Sequence, residues 1–311
     1  MLPIVTLKRY TVLMLKVHNI TTLIDHAEPE VRAWFASRTT KCGRRRLAEA
    51  RQLHSALSIA MGGGRKPYFL TMQESSAKLA HNAHITAWEQ VVMYLSAHRL
   101  SGVVNFCPDS TPECRAGCLE DSGHLAMDHA KVAMRCRSIM LAEHTADALI
   151  LIVAETERNA KRVHACGKSM AQRLNGTSDQ PWERNAWFLT MLREAGTDQH
   201  FDYTKTHTRV STEQYYLAPS ATERTTEYRA GMVVVVDVKR GHDLPTSFHG
   251  FPVIDGDHEN GDLRFLDQAR PDAIVLIRAK GHLVGVKGRE RGFVKRATDL
   301  VTMVELSARA A

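Results

Sequence analysis

The sequence lacks an apolar run long enough to cross a membrane. Its longest apolar stretches, residues 148–154 and 232–236, fall far short of the roughly 20 residues that a transmembrane helix requires. Near the N terminus, Lys8, Arg9 and Lys16 flank the apolar stretch 11–15 too closely for a secretory signal peptide. We therefore expect a cytoplasmic protein without a membrane partner.

Cysteine is also scarce, and the charge is only modestly unbalanced. Six cysteines in 311 residues are too few for a disulfide scaffold, and in a reducing compartment clustered cysteines are typical of metal or catalytic sites. The excess of 41 Lys and Arg over 34 Asp and Glu permits a polyanionic partner but does not require one. A hydrophobic content of 44% indicates a globular chain with a sizeable core, in one large or two ordinary domains.

The first 60 residues have the pattern of a helical extension. Acidic residues at 28 and 30 stand near a predicted helix start, and apolar residues follow one turn apart. The three glycines at 62–64 then form a flexible joint. We predict a helical extension over residues 1–60 and a second domain over residues 65–311.

From residue 100 onward, short apolar segments alternate with segments of helical periodicity. Strands are expected at 102–106, 170–175, 200–203, 215–217, 232–237, 251–254 and 273–279, and helices at 122–168, 182–195 and 222–229. This alternation predicts an α/β fold, a complete or partial β/α (TIM-like) barrel. An open doubly wound sheet is the alternative, but no Gly-rich dinucleotide-binding loop follows any of these strands.

Three of the six cysteines, Cys107, Cys114 and Cys118, lie within twelve residues, directly after the first predicted barrel strand. Three thiolates can hold a [4Fe–4S] cluster and leave one iron open to a small molecule, whereas structural zinc takes four protein ligands. Zinc is the alternative, with His124 or Cys136 as the fourth ligand, although the spacing C-x6-C-x3-C lacks the C-x2-C pairs of common zinc modules. A cysteine loop without a metal is the remaining interpretation.

Polar residues recur at the ends of five successive predicted strands. In a β/α barrel the loops after the strands carry the site, so these residues are candidates for function, although each taken singly is more typical of a solvated loop. The candidates for catalysis are Asp202, Lys205 and Asp255, and those for cofactor binding are Asn175, Thr177, Ser178, Asp179, Ser220, Asp237 and Lys280.

A basic segment runs from Arg278 to Arg296. It contains seven basic residues and a single acidic one, Glu290, and its glycines are typical of a flexible loop. Such a segment is suited to the phosphates of a nucleotide or a nucleic acid, and a solubilising surface loop explains it equally well.

Several stretches resemble a family of uncharacterised proteins from tailed phages and prophages. They are residues 100–108, 114–119, 173–179, 201–205, 253–257, 263–267 and 279–281. Together they span about residues 65–296, so the first 60 residues lie outside the resemblance. The resemblance implies a phage setting and a shared site rather than a particular reaction.

A looser similarity concerns the three cysteines after the first barrel strand. In this respect the chain is similar to radical S-adenosylmethionine enzymes, although its spacing differs from their usual C-x3-C-x2-C. The similarity implies that Cys107, Cys114 and Cys118 hold a [4Fe–4S] cluster whose open iron chelates S-adenosylmethionine.

Two functions follow as hypotheses. The first is a phage-encoded iron–sulfur enzyme of radical S-adenosylmethionine type that modifies a nucleotide or a nucleic acid. The second is a zinc-containing phage protein that binds nucleic acid during replication. A rolling-circle nickase would require two histidines separated by one apolar residue, and the sequence contains no such triplet.

Overall fold

The computed structural model of the protein describes residues 20–72, 87–239, 241–258, 262–280, 283 and 292–297. The apolar stretch at 11–15 and residues 281–282 and 284–291 of the basic segment lie outside the described residues. Within the described ranges, no helix combines the length and the apolar character needed to cross a membrane.

Two helices, α1 (Thr21–Ser37) and α2 (Lys41–Ala60), form the described part of the N-terminal region. The helix predicted to start near residue 28 in fact begins at Thr21, so Pro29 lies inside it. The break between the helices is fixed by Thr40, whose hydroxyl accepts a hydrogen bond from Gly43 N at 3.2 Å and caps α2.

These two helices share their core with the rest of the chain. Ile24, Val31 and Trp34 of α1 are buried in the same hydrophobic cluster as Val91 of the first sheet. The indole nitrogen of Trp34 also donates a hydrogen bond to Gly43 O at 3.1 Å, which ties α1 to α2. The N-terminal helices therefore dock on the body of the protein through buried apolar side chains.

The first sheet has five strands in sequence order, and all but the first are parallel. Its strands are β1 (Leu70–Met72), β2 (Trp88–Met93), β3 (Ser169–Arg173), β4 (Gln199–Thr204) and β5 (Tyr215–Pro219). The helices between β2 and β4 are α3 (Pro112–Ala116), α4 (Asp128–Glu143), α5 (Thr145–Ala165) and α6 (Ala186–Glu194). Because β2 to β5 are parallel, their carboxyl ends meet at one edge.

The second sheet continues the first through a single bridge. Its strands are β6 (Val233–Val236), β7 (Ser247–Phe248), β8 (Phe251–Asp255) and β9 (Ile274–Arg278), in the order β6-β9-β8-β7. Strands β6, β9 and β8 are parallel to one another, and a parallel bridge between Ser220 and Val233 joins β5 to β6. The parallel strands of both sheets therefore end on the same side of the molecule.

The α/β class is confirmed, but the sheets form a curled half-barrel rather than a complete TIM barrel. Strand β9 inserts between β6 and β8, which departs from the sequential order of a β/α barrel. The described connections at 205–214 and 220–232 also contain no helix. The barrel prediction is therefore correct only in its partial form.

Two predicted elements do not form, and strand β2 was not predicted. Residues 102–106 form a loop. Gly102 has a φ of 80°, which does not occur in an extended strand and which glycine adopts readily. Residues 222–229 are not helical, because Thr222 and Thr225 hydrogen-bond to nearby backbone N–H groups and so compete with a helix. Strand β2 was missed because two polar residues, Glu89 and Gln90, interrupt its apolar pattern.

Candidate functional site

The cysteine loop follows β2, the first parallel strand, and is fastened to its neighbours by backbone hydrogen bonds. Phe106 is fully buried; its N–H donates to His98 O at 2.8 Å, and its carbonyl accepts from Asp179 N at 2.9 Å. The thiol of Cys107 donates to the Thr177 carbonyl at 3.6 Å. The loop is thus held against the turn that follows β3.

Thr111 fixes the second cysteine. Its hydroxyl oxygen caps α3 by accepting a hydrogen bond from Cys114 N at 3.1 Å, and the hydroxyl donates to Glu223 Oε2 at 2.7 Å. Cys114 also packs against a small apolar cluster that contains Phe293 and Val294. The second cysteine is therefore joined to the loop after β5 and to the described end of the basic segment.

The three thiols are close enough to affect one another's ionisation. The pKa of Cys118 is raised to about 11, mainly by burial and in smaller part by the neighbouring Cys114. Burial also raises the pKa of Cys107, with contributions from Asp179, Cys118 and Cys114, and burial raises the pKa of Cys114. The loop therefore presents three protonated thiols, which a metal would deprotonate on binding.

The described residues contain no group of three His, Cys, Asp or Glu side chains that converges on one point as the ligands of a single metal ion do. Cys136, one of the two candidates for a fourth zinc ligand, is buried on α4 beside Arg137. The thiolates of a [4Fe–4S] cluster bind different irons and so lie further apart than the ligands of one zinc ion.

The turn at 175–180 connects β3 to the cysteine loop, and Asn175 organises it. The Asn175 carbonyl oxygen accepts hydrogen bonds from the Ser178 hydroxyl at 2.8 Å and from Gln180 N at 2.9 Å, and its amide donates to Gln180 O at 2.9 Å. The Thr177 hydroxyl donates to Leu95 O. These predicted cofactor-binding residues thus shape the turn and bring it against the end of β2.

Gly176 allows this close approach. A Cβ atom at this position would lie 2.7 Å from Met93 O, from a ring carbon of Tyr94 and from a methyl group of Val92. Gly176 N also donates to Met93 O at 2.9 Å. Only glycine fits between the two strand ends without displacing backbone.

Asp179 and Arg209 form a buried ion pair behind the turn. Asp179 also accepts hydrogen bonds from Lys205 N at 2.7 Å and from the Thr204 hydroxyl at 3.3 Å. Arg209 makes a second ion pair with Glu183 at 2.7 Å. Burial raises the pKa of Asp179, although the adjacent Arg209 favours the carboxylate.

Asp202 is fully buried and ties three strands together. Its carboxylate accepts hydrogen bonds from Asn175 N at 2.8 Å, from Leu174 N at 3.0 Å and from the Tyr215 hydroxyl at 2.5 Å. It also pairs with Arg173 Nε at 3.2 Å. These contacts make Asp202 a positioning residue that acts on the site through Asn175, and its catalytic role stays a prediction.

Lys205 and Ser220 lie at the ends of β4 and β5. The Lys205 ammonium donates to Ser220 Oγ at 2.5 Å and to Ala221 O at 3.3 Å, and it sits 5.0 Å from the centre of the Phe293 ring. Burial lowers the pKa of Lys205, while the nearby Cys114 raises it. Of the three predicted catalytic residues, Lys205 has the contacts most typical of a functional site, because its charge acts on Cys114 of the cysteine loop.

Asp255 and Lys280 belong to a separate ion-pair group at the ends of β8 and β9. Arg278 Nη1 donates to both Asp255 oxygens, at 2.8 and 2.9 Å, and Lys280 Nζ donates to Asp257 Oδ1 at 2.6 Å. Burial favours the protonated form of Asp257, but hydrogen bonds from Lys280 and Arg278 lower its pKa. These two cations of the predicted basic segment are therefore paired with carboxylates.

Asp237 follows β6, and its N–H donates to Lys295 O at 2.9 Å. This contact places Asp237 beside the described end of the basic segment and apart from the turn at 175–180. The structure thus brings Asn175, Thr177, Ser178, Asp179, Lys205 and Ser220 together with the cysteine loop, and it groups Asp255 with Lys280 elsewhere on the same edge.

A cleft of about 810 Å³ opens beside the cysteine loop. Its walls are formed by three loops at the carboxyl ends of the strands, namely residues 108–111, 205–208 and a large part of 222–232. Lys205 lines this cleft and also acts electrostatically on Cys114. The cleft and the three thiols are therefore parts of one region, which is where ligands bind in parallel α/β folds.

The family described as gene product 88 matches residues 69–297. The chain belongs to the gene product 88 family. This membership confirms the predicted phage family. No curated protein and no solved structure matches the chain.

The part that matches gene product 88 contains the three cysteines, the turn at 175–180 and all three walls of the cleft. Helices α1 and α2 lie before it. The gene product 88 region therefore includes every residue that we predicted for the site.

Sequence reasoning missed the cleft wall at 222–232 of this gene product 88 chain. Arg224, Tyr228 and Arg229 line the cleft, but the segment was interpreted as a helix. A usable signal was present, because a run with three threonines and two arginines after a strand end is rich in groups that bind anions.

Proposed function

We propose that this protein is a phage-encoded iron–sulfur enzyme of radical S-adenosylmethionine type. The observation that carries the proposal is the grouping of Cys107, Cys114 and Cys118 at the carboxyl edge of a parallel sheet, directly beside a large cleft. Three thiols close together in one loop are the ligand set of a [4Fe–4S] cluster that keeps one iron open, whereas structural zinc takes four protein ligands.

The surroundings of the loop support this assignment. Cys114 packs against the apolar cluster of Ala279, Phe293 and Val294, which limits the access of water and would protect a cluster. The Lys205 ammonium lies close enough to Cys114 to offset the negative charge that thiolates bring. A [4Fe–4S] cluster bound here would supply one electron to S-adenosylmethionine.

The first experiment is iron and acid-labile sulfide analysis of protein purified and reconstituted without oxygen. We expect about four irons and four sulfides per chain, with an absorption band that bleaches on reduction. Each of the substitutions C107A, C114A and C118A should remove most of the iron and sulfide. The exposed cysteines provide matched controls, so C42A and C166A should retain the cluster.

One zinc ion per chain with no sulfide would overturn the cluster and favour the zinc-containing nucleic-acid-binding protein. If iron and sulfide are present, the cofactor is tested with dithionite as the electron donor. We expect S-adenosylmethionine to be cleaved reductively to methionine and 5′-deoxyadenosine, with the hydrogen atom supplied by substrate or solvent. A loaded cluster without this cleavage would exclude radical S-adenosylmethionine chemistry and leave an iron–sulfur protein of another type.

A further inference from the structure

We infer that the cleft between the loops at 108–111, 205–208 and 222–232 binds a nucleoside phosphate. The inference extends the proposed function, because it names the substrate class of the same site. The binding itself depends on the cleft residues and does not require a cluster.

Positive charge in the cleft is available to a ligand. Arg224 and Arg229 line it and are exposed, and neither makes an ion pair with a carboxylate within the part of the chain that the structure describes. Lys205 contributes a third cation, whose hydrogen bonds go to the neutral oxygens of Ser220 and Ala221, while Asp179 and Glu223 act on its charge without an ion pair. Guanidinium and ammonium groups that make no ion pair with a carboxylate are the usual partners of phosphate oxygens.

Two carboxylates also line the cleft and limit the net charge. Asp109 accepts a hydrogen bond from the Thr206 hydroxyl, and Glu227 is exposed at the rim. Three cations against two carboxylates suit one or two phosphates better than a long polyanion track.

Hydroxyl groups supply further phosphate contacts. Thr208, Thr225 and Thr226 line the cleft next to the arginines. The Thr225 oxygen accepts a hydrogen bond from Thr222 N at 2.9 Å, which leaves its hydroxyl proton free to donate. Threonine hydroxyls beside arginines are a common setting for phosphate and sugar contacts.

An aromatic ring in the cleft favours a nucleoside phosphate over a simple anion. The Tyr228 ring lines the cleft and is held in place by His249, whose ring is stacked 4.1 Å away, and by Phe248, whose ring is 5.2 Å away. A base can stack on such a fixed ring while its phosphate contacts the neighbouring Arg229. The cleft volume of about 810 Å³ accommodates a nucleotide and lies within the range of small-molecule sites.

Isothermal titration calorimetry tests the inference with ATP, adenosine and a ten-nucleotide thymidine strand as probes. We expect the wild type to bind ATP and to bind adenosine much more weakly, because adenosine lacks the phosphates. The double variant R224A/R229A should bind ATP at least about tenfold more weakly. The double variant R45A/R51A removes the same charge from exposed positions of α2 and should bind ATP as the wild type does.

The two phosphate sources are separated by competition. Tighter binding of the strand, with displacement of ATP, assigns the cleft to a nucleic-acid end or loop, and binding of the strand no tighter than ATP assigns it to a free nucleotide. Equal ATP affinity in R224A/R229A and wild type overturns the inference, and so does the absence of binding of both ATP and the strand at millimolar concentration.

The triple variant C107A/C114A/C118A separates this inference from the proposed function. It should hold no cluster and still bind ATP, because the cleft cations remain in place. ATP binding by a wild-type protein that holds no iron would overturn the proposed iron–sulfur function and leave the cleft assignment intact. A loaded cluster without ATP binding would overturn the cleft assignment and leave the proposed iron–sulfur enzyme intact.

Discussion

Asp202 and Asn175 illustrate how polar residues at strand ends serve this site. Asp202 gathers hydrogen bonds from the backbone at the end of β3 and from Tyr215, and Asn175 uses every polar atom of its side chain within its own turn. Side chains that are so fully paired hold the loop geometry in place. In our proposals, the groups that contact a ligand are the cysteines and cleft residues such as Arg224.

Gly176 offers a test of this geometry at the scale of one residue. We expect G176A to lower the free energy of unfolding by about 1–3 kcal/mol, because the new methyl group would overlap Met93 O and the Tyr94 ring. Urea denaturation measures the change. Gly64 is the matched control, because a Cβ there meets nothing within 4 Å, so G64A should stay within about 0.5 kcal/mol of wild type. Equal stability of the two variants would contradict the close approach of the strand ends.

At the scale of elements, Glu155 ties α5 to β1. Its Oε2 accepts hydrogen bonds from Phe69 N and Leu70 N, both at 2.9 Å. Burial raises its pKa to about 7, even though these N–H groups favour the carboxylate. The folded state therefore retains the proton over a pH range in which the unfolded chain has lost it.

The sign of the resulting pH dependence follows from linkage. Below pH 4.5 the carboxyl is protonated in both states, and between pH 4.5 and 7 only the folded state holds the proton. The free energy of unfolding should therefore fall by about 3 kcal/mol as the pH rises through this window. E155Q should remove most of this slope in urea titrations at a series of pH values. E143Q at an exposed position of α4 is the control, and a wild-type slope in E155Q would refute the assignment.

The sequence predicted some elements well for a physical reason. Strands β3 to β6, β8 and β9 were expected within two residues of their observed ends. The clearest are β6 and β9, which are short runs rich in Val and Ile. Strand β2 was missed because Glu89 and Gln90 mask its pattern, although Glu89 pairs with Lys168 at 3.5 Å. The segment at 222–229 misled the helix prediction because its threonines bond to their own backbone.

The sequence was enough to name residues of the candidate site but not the ion pairs that these residues make. The spacing of the cysteines was sufficient to place three thiols together, since they lie within one short loop. The pairing of Arg209 with Asp179 and Glu183 depends on the order of strands in the sheet, which no local pattern encodes. The cleft likewise depends on three loops that only the fold brings together.

At the scale of the whole molecule, the shared core predicts that the N-terminal helices and the sheets unfold together. We expect I24A to lower the free energy of unfolding by about 2–5 kcal/mol, because Ile24 is buried in the main cluster. Circular dichroism and tryptophan fluorescence should report one coincident transition in urea. I59A is the control, because Ile59 is 50% exposed and its loss should change stability by less than about 0.5 kcal/mol. A two-step transition in which I24A shifts only one step would mean that α1 and α2 form an independent unit.

The contacts that fasten the cysteine loop also set the time at which the site forms during folding. Thr111 and Glu223 are 112 residues apart in the chain, and Asp109 and Thr206 are 97 residues apart. Closing loops of this length requires the parallel strands to pair first, and such pairing is slow compared with helix formation. The loop that carries the cysteines therefore acquires its final shape late, after β4 and β5 have joined the sheet. A metal or nucleotide supplied during synthesis would meet a finished site only once the loop at 222–232 has left the ribosome and docked on the sheet.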